Sequence, residues 1–245
     1  MINKLLWRCP VCKTNDSIVC RKRFLRPDLV SCPACGSAWL LLRVKGGADY
    51  RFRAIAGPQK GADRPLAEWY DAMRAGFALA AITDASAPLE PGETLYLKGH
   101  ADGVRVLRVD PRFQAIIARL PQSDSLRPPA APPQSDSLRP ADAPSKTVTL
   151  PMVDISEADL FLTDRRLIVR LGPMGATGEA LGLPLATVRG VQLFIDRFLI
   201  LRHERRLVEM FEFVAESPLK WQVYLDQVLR PIAAAAGFKV HMAYD

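Results

Sequence analysis

The chain has 245 residues, of which 49% are hydrophobic and 24% charged, and its formal net charge is +7. This composition excludes a wholly disordered or fibrous chain and can supply one sizeable core or two small ones. The first residues lack a signal-peptide pattern, and no later stretch approaches the roughly 18 consecutive apolar residues of a membrane span, so we expect a cytoplasmic protein.

Four of the five cysteines form two C-x2-C motifs. Cys9-Pro-Val-Cys12 is followed after 19 residues by Cys32-Pro-Ala-Cys35. Two intervening residues let both sulfurs of a pair turn toward one ion, and Gly36 can adopt the positive φ that such a turn often needs. Disulfides are disfavoured in a reducing cytosol, and a redox pair would need only one motif at the start of a helix. The spacing therefore predicts one structural Zn²⁺ bound by all four cysteines, with Cys20 left for packing.

Short strands are predicted around these motifs, at 17–24, 29–31 and 38–44. With its two C-P-x-C knuckles, the segment 1–45 resembles the zinc-ribbon family. The resemblance implies a small β domain whose closed metal site has no position open to water or substrate. Zinc would then fold a segment that is too short to have its own core.

The predicted ribbon also contains the positive charge of the chain. Residues 1–45 include nine Lys or Arg and two acidic residues, so the whole net excess lies there. Basic side chains beside an aromatic one suit nucleic-acid phosphates and bases, or an acidic protein surface. A solvated turn explains the same cluster equally well. The densest cluster consists of Arg21, Lys22, Arg23, Phe24 and Arg26.

Residues 46–88 are predicted to form a Gly/Pro-rich linker followed by an amphipathic helix. Glycines at 46, 47, 57 and 61 indicate breaks in regular structure. From Pro65 to Thr83, apolar residues recur at three- and four-residue steps, which is typical of a helix with one buried face. They are Leu66, Trp69, Tyr70, Met73, Phe77 and Ala80.

From residue 89 the pattern changes to that of a β-rich domain with one closing helix. Ser217 is a predicted N-cap, Pro218 suits the first turn, and Trp221 begins the apolar side of this helix. Strands are predicted at 93–100, 160–162, 167–171, 181–185, 188–194, 198–203 and 207–213, with a further alternating stretch at 104–109.

The predicted hairpin around Thr163-Asp164-Arg165-Arg166 resembles the core signature of pleckstrin-homology-like (PH-like) domains of the GRAM and bacterial type. The resemblance covers roughly 89–237 and implies a seven-stranded bent sheet capped by a C-terminal helix, with Trp221 in the core. Ribbon, helix and domain together resemble bacterial ribbon-plus-GRAM-like proteins, for which an interaction role without chemistry is implied. The expected fold class is therefore mostly β with α (α+β).

A Pro-rich insertion is predicted inside this domain at 121–145. Pro-Gln-Ser-Asp-Ser-Leu-Arg-Pro occurs twice, at 121–128 and 133–140, and such a segment buries too little apolar surface to order itself. We interpret it as a disordered, duplicated spacer, with a bivalent docking motif as the alternative. Residues 238–245 are predicted to be a C-terminal tail.

No enzymatic motif stands out, so a non-enzymatic function is expected. The histidines His100, His203 and His241 do not form a recognisable catalytic pattern with their sequence neighbours. Three function classes remain: an adaptor that binds a protein partner, a nucleic-acid-binding module that uses the basic cluster, and a peripheral membrane module. The last would bind anionic lipid through Arg165, Arg166 and Arg170.

Overall fold

The computed structural model describes seven segments of the chain, which form three β-sheets and two α-helices. This architecture confirms the expected mostly β, α+β class. The described segments are 6–44, 49–107, 152–155, 157–173, 179–194, 197–204 and 208–244. The predicted Pro-rich insertion and both of its repeats lie outside them.

Neither of the described helices is both long enough and apolar enough to cross a membrane.

The first sheet contains five strands that follow one another in sequence and in space, each antiparallel to the next. Side chains alternate across the sheet, so that Trp39 and Phe52 pack on Trp69 of the helix that follows. The elements are β1 (Val19–Arg21), β2 (Asp28–Cys32), β3 (Ser37–Arg43), β4 (Tyr50–Ala56), β5 (Asp63–Pro65) and α1 (Leu66–Arg74).

Strands β4 and β5 lie where the sequence predicted a Gly/Pro-rich linker. Gly57 and Gly61 have φ values of +89° and +90° in the turn between them, so these glycines shape a hairpin and do not end the sheet. A Cβ on Gly57 would lie 2.9 Å from the Cα of Ser37 in β3, too close for any larger residue. The first sheet therefore extends to Pro65, beyond the predicted boundary at residue 45.

Helix α1 is shorter than the periodicity of residues 65–83 predicts. It begins directly after Pro65, as expected, but its last residue is Arg74. Gly76 adopts a left-handed conformation with φ +64°, which ends the helix. Phe77 therefore lies in the following segment, where its ring contacts Trp7.

The second and third sheets are built from residues 95–244. Their strands are β6 (Leu95–Ala101), β7 (Gly103–Leu107), β8 (Met152–Ile155), β9 (Ala158–Thr163), β10 (Arg166–Leu171), β11 (Ala180–Pro184), β12 (Val188–Phe194), β13 (Phe198–His203), β14 (Val208–Glu212) and β15 (His241–Tyr244). The second sheet has the order β11-β10-β9-β6, and the third has the order β15-β12-β13-β14-β7-β8. All pairs are antiparallel except β12 with β15, which is parallel.

Among the described residues, three short connections join these sheets: β6 to β7, β8 to β9, and β11 to β12. Only Asp102 separates β6 from β7, and a 3-10 turn at Leu185–Thr187 separates β11 from β12. The two sheets therefore meet at these connections, and their inner faces enclose one core. Leu160, Leu199 and Phe211 are fully buried in it.

Helix α2 (Pro218–Ala236) closes this core. The Ser217 hydroxyl accepts a hydrogen bond from the Lys220 backbone N–H at 3.3 Å, which confirms the predicted N-cap. Trp221 is fully buried and stacks on Phe213 with 5.9 Å between ring centroids, as its predicted core position requires.

The C-terminal residues continue the third sheet. The left-handed Gly237 ends α2, and His241–Tyr244 then pairs with β12 as β15. The predicted C-terminal tail is thus partly a strand, and its residues His-Met-Ala-Tyr show no apolar–polar alternation that would predict one.

Candidate metal centre

Four cysteine sulfurs converge at one end of the first sheet. The Sγ atoms of Cys9, Cys12, Cys32 and Cys35 all lie within 4.8 Å of one another. The distance is 3.8 Å between Cys9 and Cys35 and 3.7 Å between Cys12 and Cys32. A tetrahedral ion with metal–sulfur bonds of about 2.3 Å holds its sulfurs about 3.8 Å apart. The predicted ligands therefore form a cluster that fits a metal ion.

The two knuckles that supply these sulfurs have the same backbone form. The carbonyl of Cys9 accepts a hydrogen bond from Lys13 N at 3.1 Å, and that of Cys32 accepts one from Gly36 N at 2.9 Å. Lys13 and Gly36 have φ values of +63° and +70°. The positive φ predicted for Gly36 is thus confirmed, and a lysine adopts it in the first knuckle.

The pKa values of the cluster thiols shift in opposite directions, up for the buried Cys9 and down for Cys12 and Cys35. Burial raises the pKa of Cys9. A hydrogen bond with the Thr14 hydroxyl lowers the pKa of Cys12 to about 6. Burial opposes ionisation of Cys35, but hydrogen bonding with Ser37 outweighs it and lowers the pKa of that thiol. A buried thiolate at Cys9 needs a neighbouring positive charge, which a bound cation supplies.

The fifth cysteine stands apart from this cluster. Cys20 in β1 is partly buried against the core of the first sheet, and burial raises the pKa of its thiol. Its position against the core agrees with the prediction that Cys20 serves packing and is not a metal ligand.

The first knuckle also attaches the cysteine cluster to the rest of the chain. Trp7, which precedes it, is 3% exposed and belongs to the same core as the second and third sheets. Its ring lies 5.6 Å from Phe77 and 6.1 Å from Tyr224 of α2, measured between centroids. Asn15 Nδ2 donates to the Tyr224 hydroxyl at 3.0 Å.

Two of the basic residues counted in the ribbon serve this attachment. Arg8 Nη1 donates to the carbonyl of Met73 at 2.7 Å, and Lys13 Nζ donates to the carbonyl of Ala72. These carbonyls belong to the last turn of α1, where a helix has acceptors without internal partners and a partial negative charge. Burial lowers the pKa of both Arg8 and Lys13. These roles are not visible in the sequence, because the partners of Arg8 and Lys13 are backbone carbonyls more than 50 residues away.

The basic cluster predicted from the sequence lies in the connection between β1 and β2. Arg21, Lys22, Phe24 and Arg26 are exposed, whereas Arg23 is half-buried. We call residues 22–27 the hairpin tip. It lies at the opposite end of β2 from Cys32, so the metal site and the tip occupy the two ends of one strand.

The arginines proposed for lipid binding contact the chain itself. Both Arg166 Nε and Nη2 donate to the buried carboxylate of Glu93, at 2.9 Å each. Arg170 Nη2 donates to the backbone carbonyl of Ser86. The Arg165 side chain is 57% exposed. The structure therefore does not present the three guanidinium groups as one open surface.

The histidines lie on separate strands with separate partners. His100 Nδ1 in β6 is 3.0 Å from Asp159 Oδ1, and His203 Nε2 in β13 is 2.6 Å from Glu209 Oε2. His241 is exposed in β15. The buried His203–Glu209 pair was not apparent from the sequence, because its members come from two different strands, β13 and β14.

Comparison with known proteins assigns no family. No model of a protein family matches the chain, and no curated protein is significantly similar to it.

Proposed function

We propose that this chain is a non-enzymatic zinc-binding adaptor that binds a protein partner. In this proposal the first sheet is a zinc ribbon, and the second and third sheets with α2 are a PH-like scaffold. The observation that carries it is the convergence of four sulfurs in a unit that docks on the scaffold through Trp7. Because of this docking, the ribbon and the scaffold offer a partner one continuous surface.

Zinc is the metal that best suits the cysteine cluster. Four thiolates in a tetrahedron are typical of Zn²⁺ or of iron–sulfur chemistry, and two C-x2-C knuckles are the common structural zinc arrangement. Four protein ligands fill the coordination sphere, so the ion organises the knuckles and offers no position to a substrate. Elemental analysis of the purified protein tests the metal, with one zinc per chain expected and iron as the opposing result.

The PH-like assignment is supported by strand order and by the closing helix. If β6–β7 and β8–β9 are each counted as one long strand, seven successive strands end at β14. They enclose a core that α2 closes. The resemblance drawn from the sequence implies this layout, with its tryptophan in the core. Trp221 fits that role.

The β11 edge of the second sheet is the surface that we propose for the partner. Strand β11 is the last strand in that sheet, and among the described residues no strand pairs with its outer side. Its side chains alternate between exposed and buried, so a partner strand could add to the edge and reach both faces. Main-chain hydrogen bonds would supply affinity, and the flanking side chains would supply specificity.

The edge can be tested by adding charge to it. Ala180→Lys with Pro184→Lys places two positive charges on exposed positions of β11, which is how natural sheets discourage edge pairing. The full chain, tagged, is recovered from its native cell extract with nuclease and high-salt washes. We expect a stoichiometric protein partner with the wild type and its loss with the β11 variant.

The matched control adds the same charge elsewhere. Ala234→Lys with Ala235→Lys lies on the exposed side of α2 and should retain the partner. A partner that survives the β11 variant would contradict the edge assignment. Recovery of nucleic acid alone, lost on nuclease treatment, would contradict the adaptor proposal.

The membrane alternative is less well supported at its predicted site. Arg166 and Arg170 use their guanidinium groups to hold residues 86–93 against the second sheet. Lipid phosphates would have to displace the buried Glu93 carboxylate to reach Arg166.

A further inference from the structure

The hairpin tip displays two large apolar side chains to solvent. Phe24 is 91% exposed and Leu25 is 88% exposed. Among the described residues, the next most exposed large apolar side chain is Val214, at 50%. Adjacent apolar side chains with almost no protein contact are rare on a folded domain and mark an interaction site.

The tip is an ordered turn and not a loose end. Arg23 N donates to the Asp28 carboxylate at 3.2 Å, and Arg23 Nε donates to the carbonyl of Pro27 at 2.9 Å. Leu25 has φ +55°, a left-handed conformation that a leucine seldom adopts. The backbone therefore holds the two apolar side chains outward.

Positive charge surrounds the apolar pair. Arg21, Lys22 and Arg26 are exposed on either side of it. Between residues 17 and 48 the sequence contains one acidic residue, Asp28, whose carboxylate accepts the bond from Arg23. Phe24 and Leu25 are thus flanked on both sides by cationic side chains, and we call Arg21, Lys22 and Arg26 the collar.

We propose that the hairpin tip inserts into an anionic lipid surface, a binding activity separate from the protein contact at β11. A lipid interface offers acyl chains for Phe24 and Leu25 and negatively charged headgroups for the collar. The presence of Leu25 beside Phe24 favours a lipid surface over a nucleic acid. Phe24 could stack on a base, but Leu25 has no ring to do so. Both side chains gain free energy by leaving water for hydrocarbon.

The position of the tip allows this insertion without disturbing the rest of the fold. Strand β2 has five residues and spans about 13 Å between its ends, with the tip at one end and Cys32 at the other. The contacts that attach the ribbon involve Trp7, Arg8 and Lys13, on the side of the knuckles. The proposal depends on a metal-ordered hairpin, so metal content is measured for each variant.

Vesicle co-sedimentation of the full chain tests the proposal. The probe is phosphatidylcholine vesicles with about a third phosphatidylserine, compared with phosphatidylcholine alone. We expect binding to the anionic vesicles only. Phe24→Ser with Leu25→Ser, and separately Arg21→Glu with Lys22→Glu, should each weaken it by about tenfold or more.

Two controls separate tip insertion from general charge or apolar attraction. Lys60→Glu with Lys239→Glu changes the charge by the same amount at exposed positions outside the tip, and Val214→Ser removes the next most exposed apolar side chain. Both should bind more tightly than the tip variants. All variants should retain the wild-type metal content.

A fluorescent variant locates the inserted residue. The four native tryptophans are at most 3% exposed, so Phe24→Trp reports on the tip against a nearly constant background. Brominated lipids should quench its emission.

The proposal is overturned if the wild type does not bind anionic vesicles, or if the apolar tip variant binds them as well as the controls do. It is also overturned if the tip variants instead abolish binding of a single-stranded oligonucleotide.

Discussion

Gly99 in β6 leaves the space that the Glu216 carboxylate occupies. That carboxylate accepts hydrogen bonds from the His100 backbone N–H at 2.8 Å and from Trp221 Nε1 at 3.1 Å. A Cβ on Gly99 would lie 2.2 Å from Glu216 Oε2, so Gly99→Ala should expel the carboxylate and leave both donors unpaired. We expect a loss of about 2–4 kcal/mol in the free energy of unfolding, measured by urea denaturation. In Gly190→Ala the new Cβ would meet nothing closer than 3.6 Å, so this control should change stability little. If both variants lost the same free energy of unfolding, displacement of Glu216 would not be the cause.

Glu93 makes the second sheet sensitive to acid. Burial opposes its ionisation, but hydrogen bonds from Arg166, the Glu90 N–H and the Thr163 hydroxyl prevail and lower its pKa to about 2. Because the unfolded chain binds this proton near pH 4.3, the stabilisation is complete above that pH and is lost as the pH falls from about 4 to about 2. The shift corresponds to about 3 kcal/mol.

Glu93→Gln isolates this contribution from the release of metal, which acid also causes. Urea denaturation of both proteins at several pH values gives the difference in unfolding free energy. We expect a difference of about 2–3 kcal/mol at pH 7 that shrinks toward pH 2. A difference that is independent of pH would mean that the charge of Glu93 does not stabilise the fold.

At the scale of elements, the contact of Trp7 with Phe77 and Tyr224 joins the ribbon to α2. Trp7→Ala should cost about 3–5 kcal/mol and should separate the two parts, because the ring fills a core that belongs mainly to the second and third sheets. Limited proteolysis should then cut faster between α1 and β6. The metal content should remain unchanged.

Trp69→Ala is the matched control for this contact. Trp69 is equally buried, at 3% exposed, but it packs within the ribbon on Trp39 and Phe52. Its loss should weaken the first sheet and metal retention. If both variants lost metal to the same degree, Trp7 would belong to the ribbon core and not to the docking contact.

The sequence predicts elements best where the pattern is local. Most strands of the second and third sheets and the Ser217 cap follow from alternation and capping chemistry, whereas the short β8 and β15 do not. The cysteine cluster follows from spacing, because each knuckle is a turn of four residues. The extent of α1 does not follow from periodicity, since the apolar pattern continues through Gly76. Glycine permits the left-handed turn there, and the docking of Phe77 on Trp7 favours it.

Contacts between distant elements were the part that the sequence could not predict. From the sequence, Arg8 and Lys13 look like surface charges, and only the structure shows that they donate to carbonyls at the end of α1. Leu25 has a local signal, its position beside Phe24 within a basic run, but only the exposed turn distinguishes it from a core residue.

At the scale of the whole molecule, two cores of unequal size imply unequal dependence on the metal. In the part of the chain that the structure describes, the core of the first sheet has ten buried residues, including Cys9 and Cys32, whereas the core enclosed by the second and third sheets has 27. A structural zinc ion contributes about 10–16 kcal/mol of binding free energy in isolated zinc fingers, more than so small a core can replace. Removing the metal should therefore unfold the ribbon and leave the scaffold folded.

Cys32→Ser tests this difference, with Cys20→Ser as the control outside the cluster. Hydrogen exchange followed by mass spectrometry should show lost protection in β2, β3 and α1, and retained protection in β9, β10 and α2. The scaffold should also melt at a lower temperature than in the wild type, because the Trp7 side of its core becomes exposed when the ribbon unfolds. Protected β2 and β3 amides in a metal-free Cys32→Ser protein would show that the ribbon folds without its ion. The adaptor would then lack the structural reason that we give for its four cysteines.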